Sequence, residues 1–160
     1  MAIHSLKRIQ KIPIDRSAAW DFFSNPANLQ TITPPEMHFE ILTESAGDRM
    51  YPGQVIEYRV RPLWNIPVYW MTEITHVEES SFFVDEQRFG PYSFWHHQHH
   101  FQDITGGVEM TDWVHYKNPL GFIGGMANRL LVRKKLEAIF DFRKKKIEEL
   151  FGTWQEKGRT

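Results

Sequence analysis

The sequence contains no cysteine, which excludes disulfide bridges, thiolate metal sites and cysteine nucleophiles. It has no stretch near the roughly 18 consecutive apolar residues that a membrane-spanning helix requires. The first residues also lack the apolar core of a signal peptide. The formal net charge of −1 provides no overall basic character that would attract nucleic acid. We therefore expect a cytoplasmic protein with no nucleic-acid partner and no stable membrane insertion.

Common catalytic and cofactor-binding signatures are also missing. The chain has no phosphate-binding loop, no dinucleotide fingerprint, no G-x-S-x-G and no H-E-x-x-H motif. We therefore predict no cofactor, and the sequence leaves open whether the protein is an enzyme.

Aromatic side chains are the residues that the sequence has in excess. They make up 14% of the chain, with 12 Phe and 6 Trp. So many rings need either a thick core or a cavity that they line. The length of 160 residues suits one core, and no repeat or low-complexity linker divides it. We predict a single domain over residues 1–160.

The order of hydrophobic patterns predicts one strand, two short helices, six strands and one long helix. The first strand covers residues 4–14, and Asp15 or Ser17 caps the helix that follows. The long helix covers residues 127–151. Closely spaced strands with short connections indicate an antiparallel meander. The result is an α+β fold in which a seven-stranded sheet faces the long helix and leaves room for a ligand between them.

The most distinctive stretch is DEQRFGPYSFWHHQHHF, residues 85–101, which holds four of the eight histidines. Its Gly-Pro break between two aromatic-rich runs predicts a β-hairpin. Side chains alternate between the faces of a strand. One face therefore carries Trp95, His97, His99 and Phe101. His96 and His100 lie on the opposite face, which we expect to be in contact with water.

A two-residue turn at Gly106-Gly107 would fix the pairing of this strand with the next one. It pairs Phe101 with Asp112, His99 with Val114, and His97 with Tyr116. The more apolar face is assigned to the cavity, and it carries Trp95, His97, His99, Phe101, Met110, Asp112, Val114 and Tyr116. The face of strand 82–89 that lines the cavity is left open, because the turn before Ser93 leaves the register ambiguous.

Three interpretations of the polar side chains His97, His99, Asp112 and Tyr116 remain open. The histidines are a structural pair that donates to Asp112, or they orient a ligand, or His97, His99 and Asp112 perform acid/base catalysis. A metal with Asp112 as third ligand is a weaker alternative, and we predict no metal site. The basic run 143–146 is interpreted as a solvated helix face.

Five stretches resemble the START-like superfamily, also called SRPBCC, and in particular its small bacterial single-domain proteins. They are AWDFFSNPANLQTITPP, YPGQVIEYRV, FVDEQRFGPYSFWHHQHHF, GGVEMTDWVHYKNPLG and LEAIFDFRKKKIEELF, and they span nearly the whole chain. The superfamily includes the birch pollen allergen, lipid-transfer domains and polyketide cyclases. The resemblance implies a helix-grip fold, with a curved sheet wrapped around the C-terminal helix and a hydrophobic cavity between them. No catalytic residue of the polyketide cyclases can be transferred.

The function expected from these observations is binding of an apolar small molecule of the lipid, sterol or polyketide kind. One alternative is a cyclase or dehydratase with a cavity histidine as general acid/base, and another is an interaction module in stress or cell division. Only the hydrophobic ligand is predicted as a partner, with a homodimer left open. The residues expected to bind the ligand are Tyr58, Trp70, Trp95, His97, His99, Phe101, Asp112, Val114 and Tyr116.

Overall fold

Seven strands and two α-helices form the protein in a computed structural model, which describes residues 3–43, 49–62, 65–118 and 126–155, with side chains from residue 130 onward in the last range. The strands are β1 His4–Ile12, β2 Glu40–Ile41, β3 Val55–Val60, β4 Val68–Glu78, β5 Phe82–Phe89, β6 Phe94–Ile104 and β7 Gly107–Lys117. They occur in the predicted order, and β1 ends before Pro13, which has no N–H for a ladder hydrogen bond.

The first α-helix, α1, covers Arg16–Phe23 and begins where the sequence predicted. The N-cap is Asp15, whose carboxylate accepts a hydrogen bond from the backbone N–H of Ala18 at 2.7 Å. The second predicted helix is a short 3₁₀ helix, Pro26–Leu29, and another 3₁₀ turn follows at Pro35–Met37.

The strands form one antiparallel sheet with the order β1-β7-β6-β5-β4-β3-β2. The sheet curves around the long C-terminal helix, α2, which covers Met126–Phe151. Among the strands, α2 approaches β1 most closely. This is the helix-grip arrangement, and it leaves the middle of the sheet at a distance from the helix.

The register predicted for β6 and β7 is wrong by two residues. Ile104 pairs with Gly107, so the turn lies at Thr105-Gly106 rather than at Gly106-Gly107. Consequently His97 pairs with Val114 and His99 pairs with Asp112. Because a shift of two residues preserves the side-chain alternation, the predicted inward face is still the inward face.

Two groups of buried side chains pack under the sheet. One is centred on Tyr58, Trp70 and Trp95, and the other is centred on Trp20 and Phe101. Neither of the described helices is long and apolar enough to span a membrane.

Candidate functional site

A cavity of about 390 Å³ lies between the concave face of the sheet and α2. Strands β3 to β6 form one wall, α2 forms the second, and α1 with the following 3₁₀ helix closes one end. Its lining from α2 includes Val132, Leu136, Ile139 and Phe140, which follow helical spacing. The volume falls within the range of small-molecule binding sites in proteins.

Aromatic rings cover the strand side of this cavity. Tyr58 stacks on Trp70 with ring centroids 5.8 Å apart, and Trp70 meets Trp95 edge to face at 5.2 Å. Tyr92, from the β5–β6 connection, packs on both tryptophans. The Tyr58 hydroxyl shares a 2.6 Å hydrogen bond with Thr72 Oγ1, so this polar atom is paired within the wall. The wall is therefore largely apolar, and its rings contact one another.

The structure brings five of the nine predicted ligand-binding residues to the cavity. They are Tyr58, Trp70, Trp95, His97 and His99. The other four are buried but do not line this cavity: Phe101 packs toward α1, and Asp112, Val114 and Tyr116 lie on β7 beside it. Of the two faces of β5 that the sequence left open, the one with Phe83 and Asp85 lines the cavity.

A compact polar cluster interrupts the apolar lining at the centre of the sheet. The Asp85 Oδ2 atom lies 2.9 Å from His99 Nε2 and 3.3 Å from His97 Nδ1. The other carboxylate oxygen of Asp85 accepts a 3.2 Å hydrogen bond from Trp95 Nε1. The two imidazole rings lie side by side, with centroids 3.8 Å apart. The ligating atoms of Asp85, His97 and His99 all lie within 4.8 Å of one another, so these side chains could hold a metal ion.

Asp112 contacts the opposite edges of the same two imidazoles. Its Oδ1 atom accepts a hydrogen bond from His97 Nε2 at 2.9 Å and one from Arg143 Nη1 at 3.3 Å. His99 Nδ1 also lies 2.9 Å from this oxygen, yet it has no partner in hydrogen-bonding geometry among the described residues. Each imidazole thus bridges two carboxylates, one beside the cavity and one behind it.

Mutual interaction controls the ionisation of the cluster. Burial opposes the charged form of Asp85, but His97 and His99 outweigh it and hold the pKa of this carboxyl well below its usual range. Burial likewise opposes ionised Asp112, but Arg143 and the histidines lower its pKa. For His97, burial favours the neutral ring, but Asp85 and Asp112 prevail and raise its pKa. Both carboxylates are therefore ionised at neutral pH.

Arg143 is the residue of the cluster that the sequence interpretation assigned wrongly. The basic run 143–146 predicts a solvated side chain at this position, whereas Arg143 is only 8% exposed. Its spacing from Leu136, Phe140 and Ile147 places it on the buried face of α2, and all three of these side chains are buried. The helical spacing of Arg143 from these apolar residues can be read from the sequence, and it indicates that the side chain is buried.

Comparison with solved structures finds proteins of the same fold across most of the chain. Ginseng major latex-like protein 151 from Panax ginseng is 14% identical, with a TM-score of 0.67 over 94% of this chain and 99% of that one. A protein from Chromobacterium violaceum is 10% identical, with a TM-score of 0.69 over 94% and 99%. Ara h 8.0201 is 14% identical, with a TM-score of 0.62 over 92% and 99%. No family model and no curated protein matches the sequence.

These similarities confirm the helix-grip fold that the sequence resemblance implied. At 10–14% identity they establish the fold alone. A fold does not determine a function, which depends on the cavity and its polar cluster.

Proposed function

We propose that the protein binds an apolar small molecule, of the lipid, sterol or polyketide kind, in the cavity between the sheet and α2. The observation that carries this proposal is the aromatic and aliphatic lining of a cavity of about 390 Å³. The fold adds support, because the resemblance to the START-like superfamily implies binding of hydrophobic ligands.

Burial of the ligand against the aromatic wall would supply the driving force. Each Å² of apolar surface removed from water contributes about 25 cal/mol, before the cost of losing ligand freedom is subtracted. Tyr58, Trp70 and Trp95 would form the main contact surface. The cluster of Asp85, His97 and His99 would orient the polar end of the ligand, because it is a polar group on a largely apolar wall.

A cavity-filling substitution tests this proposal. The Ile139 side chain lines the cavity from α2, and Leu131 lies on the exposed side of the same helix. We expect the wild-type protein to bind the fluorescent probe 1-anilinonaphthalene-8-sulfonate (ANS), which joins apolar aromatic rings to one sulfonate, saturably and with one site. Ile139→Trp should weaken this binding strongly because the indole occupies the space of the probe, whereas Leu131→Trp should leave it unchanged.

Two results would contradict the proposal. One is the absence of saturable ANS binding by the folded wild-type protein. The other is equal binding by wild type and Ile139→Trp, because the probe would then occupy a surface outside the cavity. A thermal unfolding curve for each variant establishes that the compared proteins are folded.

A further inference from the structure

We propose that Asp85, His97 and His99 form a binding site for a divalent transition-metal ion at the wall of the cavity. The three side chains converge on one point from two adjacent strands, β5 and β6. This inference concerns the protein without its ligand, so its test does not depend on the proposed function.

The spacing of the three ligating atoms suits a metal centre. In a tetrahedral site with bonds of about 2.0–2.2 Å to nitrogen and oxygen, neighbouring ligand atoms are about 3.3–3.6 Å apart. Asp85 Oδ2 lies 3.3 Å from His97 Nδ1 and 2.9 Å from His99 Nε2. These two distances lie within about half an ångström of the tetrahedral spacing, and the ligating atoms of all three residues lie within 4.8 Å of one another.

The number of N–H groups on the two imidazoles gives a reason for a cation between Asp85 and the rings. A neutral imidazole has one N–H and one lone pair, and each of these rings contacts a carboxylate oxygen at both nitrogens. With both rings neutral, lone pairs of nitrogen face carboxylate oxygens. With both rings protonated, two buried imidazolium ions would lie 3.8 Å apart and repel each other. With one ring protonated, a nitrogen lone pair of the other ring still faces a carboxylate oxygen. A metal ion between Asp85 and the rings removes the conflict in each of these three states.

The groups behind the histidines match the outer shell of a metal site. Metal-bound histidines usually donate their second N–H to a carboxylate, which fixes the tautomer and the ring orientation. With the metal on His97 Nδ1 and His99 Nε2, the remaining nitrogens both face Asp112 Oδ1 at 2.9 Å. Arg143 holds Asp112 in place. The Nδ1 atom of His99, which has no hydrogen-bond partner among the described residues, would then carry the N–H that faces Asp112.

The ligand types select the class of metal. Two imidazoles and one carboxylate suit zinc, iron, nickel or copper, whereas magnesium and calcium prefer oxygen ligands alone. Asp85, His97 and His99 all line the cavity, so a further coordination position would point into it. The divalent ion, the carboxylates of Asp85 and Asp112, and the Arg143 guanidinium carry a net charge of +1. An anionic oxygen of a cavity ligand, or hydroxide, would balance this charge.

Zinc titration of chelator-stripped protein tests the site directly. The outward-facing histidines His96, His100 and His115 can bind zinc adventitiously, so the titrated background carries His96→Ala, His100→Ala and His115→Ala together. In this background we expect one equivalent of zinc to bind in competition with a chromogenic chelator. Asp112→Asn should weaken binding by about 10–100-fold, as loss of an outer-shell partner does. His97→Ala and His99→Ala should each weaken it further.

Zinc-edge X-ray absorption of the same triple variant reports the metal ligands directly, with Asp85, His97 and His99 left intact. We expect two imidazole nitrogens and at least one oxygen at about 2.0–2.2 Å. Loss of zinc binding in the triple variant that lacks His96, His100 and His115 would overturn the proposal, because the zinc would then bind an adventitious surface site. Binding that persists unchanged in a folded His97→Ala/His99→Ala variant, or a zinc shell without two imidazoles, would overturn it equally.

Discussion

Arg143 and Asp112 form a buried ion pair within the core of the protein, at 8% and 6% exposure. Removal of two charges from water costs several kcal/mol for each ion, so such a pair persists only where hydrogen bonds satisfy it. Asp112 accepts from both Arg143 and His97, which meets this requirement. Loss of the guanidinium would leave a buried carboxylate with one partner fewer.

We therefore expect Arg143→Met to lower the free energy of unfolding by about 3–5 kcal/mol, the typical cost of removing one partner from a buried pair. Urea unfolding followed by circular dichroism measures this change. Arg133→Met is the matched control on the same helix, because Arg133 pairs with Glu137 at the surface and is 67% exposed. It should leave the urea midpoint unchanged. Equal stability of Arg143→Met and wild type would contradict the importance of the buried pair.

At this scale the sequence grouped His97, His99, Asp112 and Tyr116. The first three do form a cluster, whereas Tyr116 packs on His4 and Tyr92 instead. Two members of the cluster, Asp85 and Arg143, were missed. The sequence does not decide whether the Asp85 side chain faces the cavity, because side-chain alternation assigns a face only after the register across the preceding or following turn is known. Arg143 was misassigned because a run of four basic residues is usually solvated, although its helical spacing indicated burial. Pairwise contacts between separate elements are set by tertiary packing, which local patterns do not contain.

At the scale of elements, short-range signals predicted most of the chain. The cap before α1 is one example, for which the sequence offered both Asp15 and Ser17. In the structure Asp15 is the N-cap, and its side chain pairs with the Ala18 N–H. The helix thus held carries Trp20 and Phe23 into the core.

The two candidate caps can be separated by substitution. Asp15→Ala should lower the free energy of unfolding by about 1 kcal/mol, because a helix N–H loses its partner. Ser17→Ala is the control and should have little effect, since Ser17 lies within the helix and is exposed. Urea unfolding of the two variants provides the comparison. A larger loss in Ser17→Ala than in Asp15→Ala would contradict the assigned cap.

The β6–β7 hairpin shows the limit of turn-based prediction. Two adjacent glycines allowed a turn at either Thr105-Gly106 or Gly106-Gly107, and the sequence prediction took the second. In the structure Gly107 opens β7 and lies against β1. A Cβ atom at Gly107 would come within 2.2 Å of the Ile12 carbonyl oxygen. Glycine is therefore required at this position by the neighbouring strand, a contact that no local pattern reveals.

This contact makes Gly107→Ala destabilising. We expect a loss of about 1–3 kcal/mol in the free energy of unfolding, as for other substitutions that overfill a packed site. Thr105→Ala, at an exposed position in the same turn, is the control and should change stability much less. Thermal or urea unfolding of both variants measures the difference. A Gly107→Ala protein as stable as wild type would contradict the close approach of β1.

At the scale of the whole molecule, the order of elements and the resemblance both predicted the helix-grip fold, and that fold is confirmed. The cavity was expected in general terms, but its boundaries were not. They depend on how far the curved sheet stands from α2, which is a property of the assembled structure. Four of the nine predicted ligand-binding residues are consequently buried elsewhere than on the cavity wall. Side-chain alternation along a strand distinguishes the inward face from the outward face. It does not tell which inward-facing side chains line the cavity and which pack against other core residues.

The central claim is that the inner surface of the sheet binds an apolar molecule, and the tryptophans report on it directly. Trp70 and Trp95 line the cavity, whereas Trp113 lies on the outer face and donates to Ser5. The decisive measurement is an NMR titration of the indole N–H resonances with ANS. We expect the resonances of Trp70 and Trp95 to shift in a saturable manner while that of Trp113 stays in place. Shifts confined to Trp113, or no shift at Trp70 and Trp95 at saturating ANS, would contradict the claim.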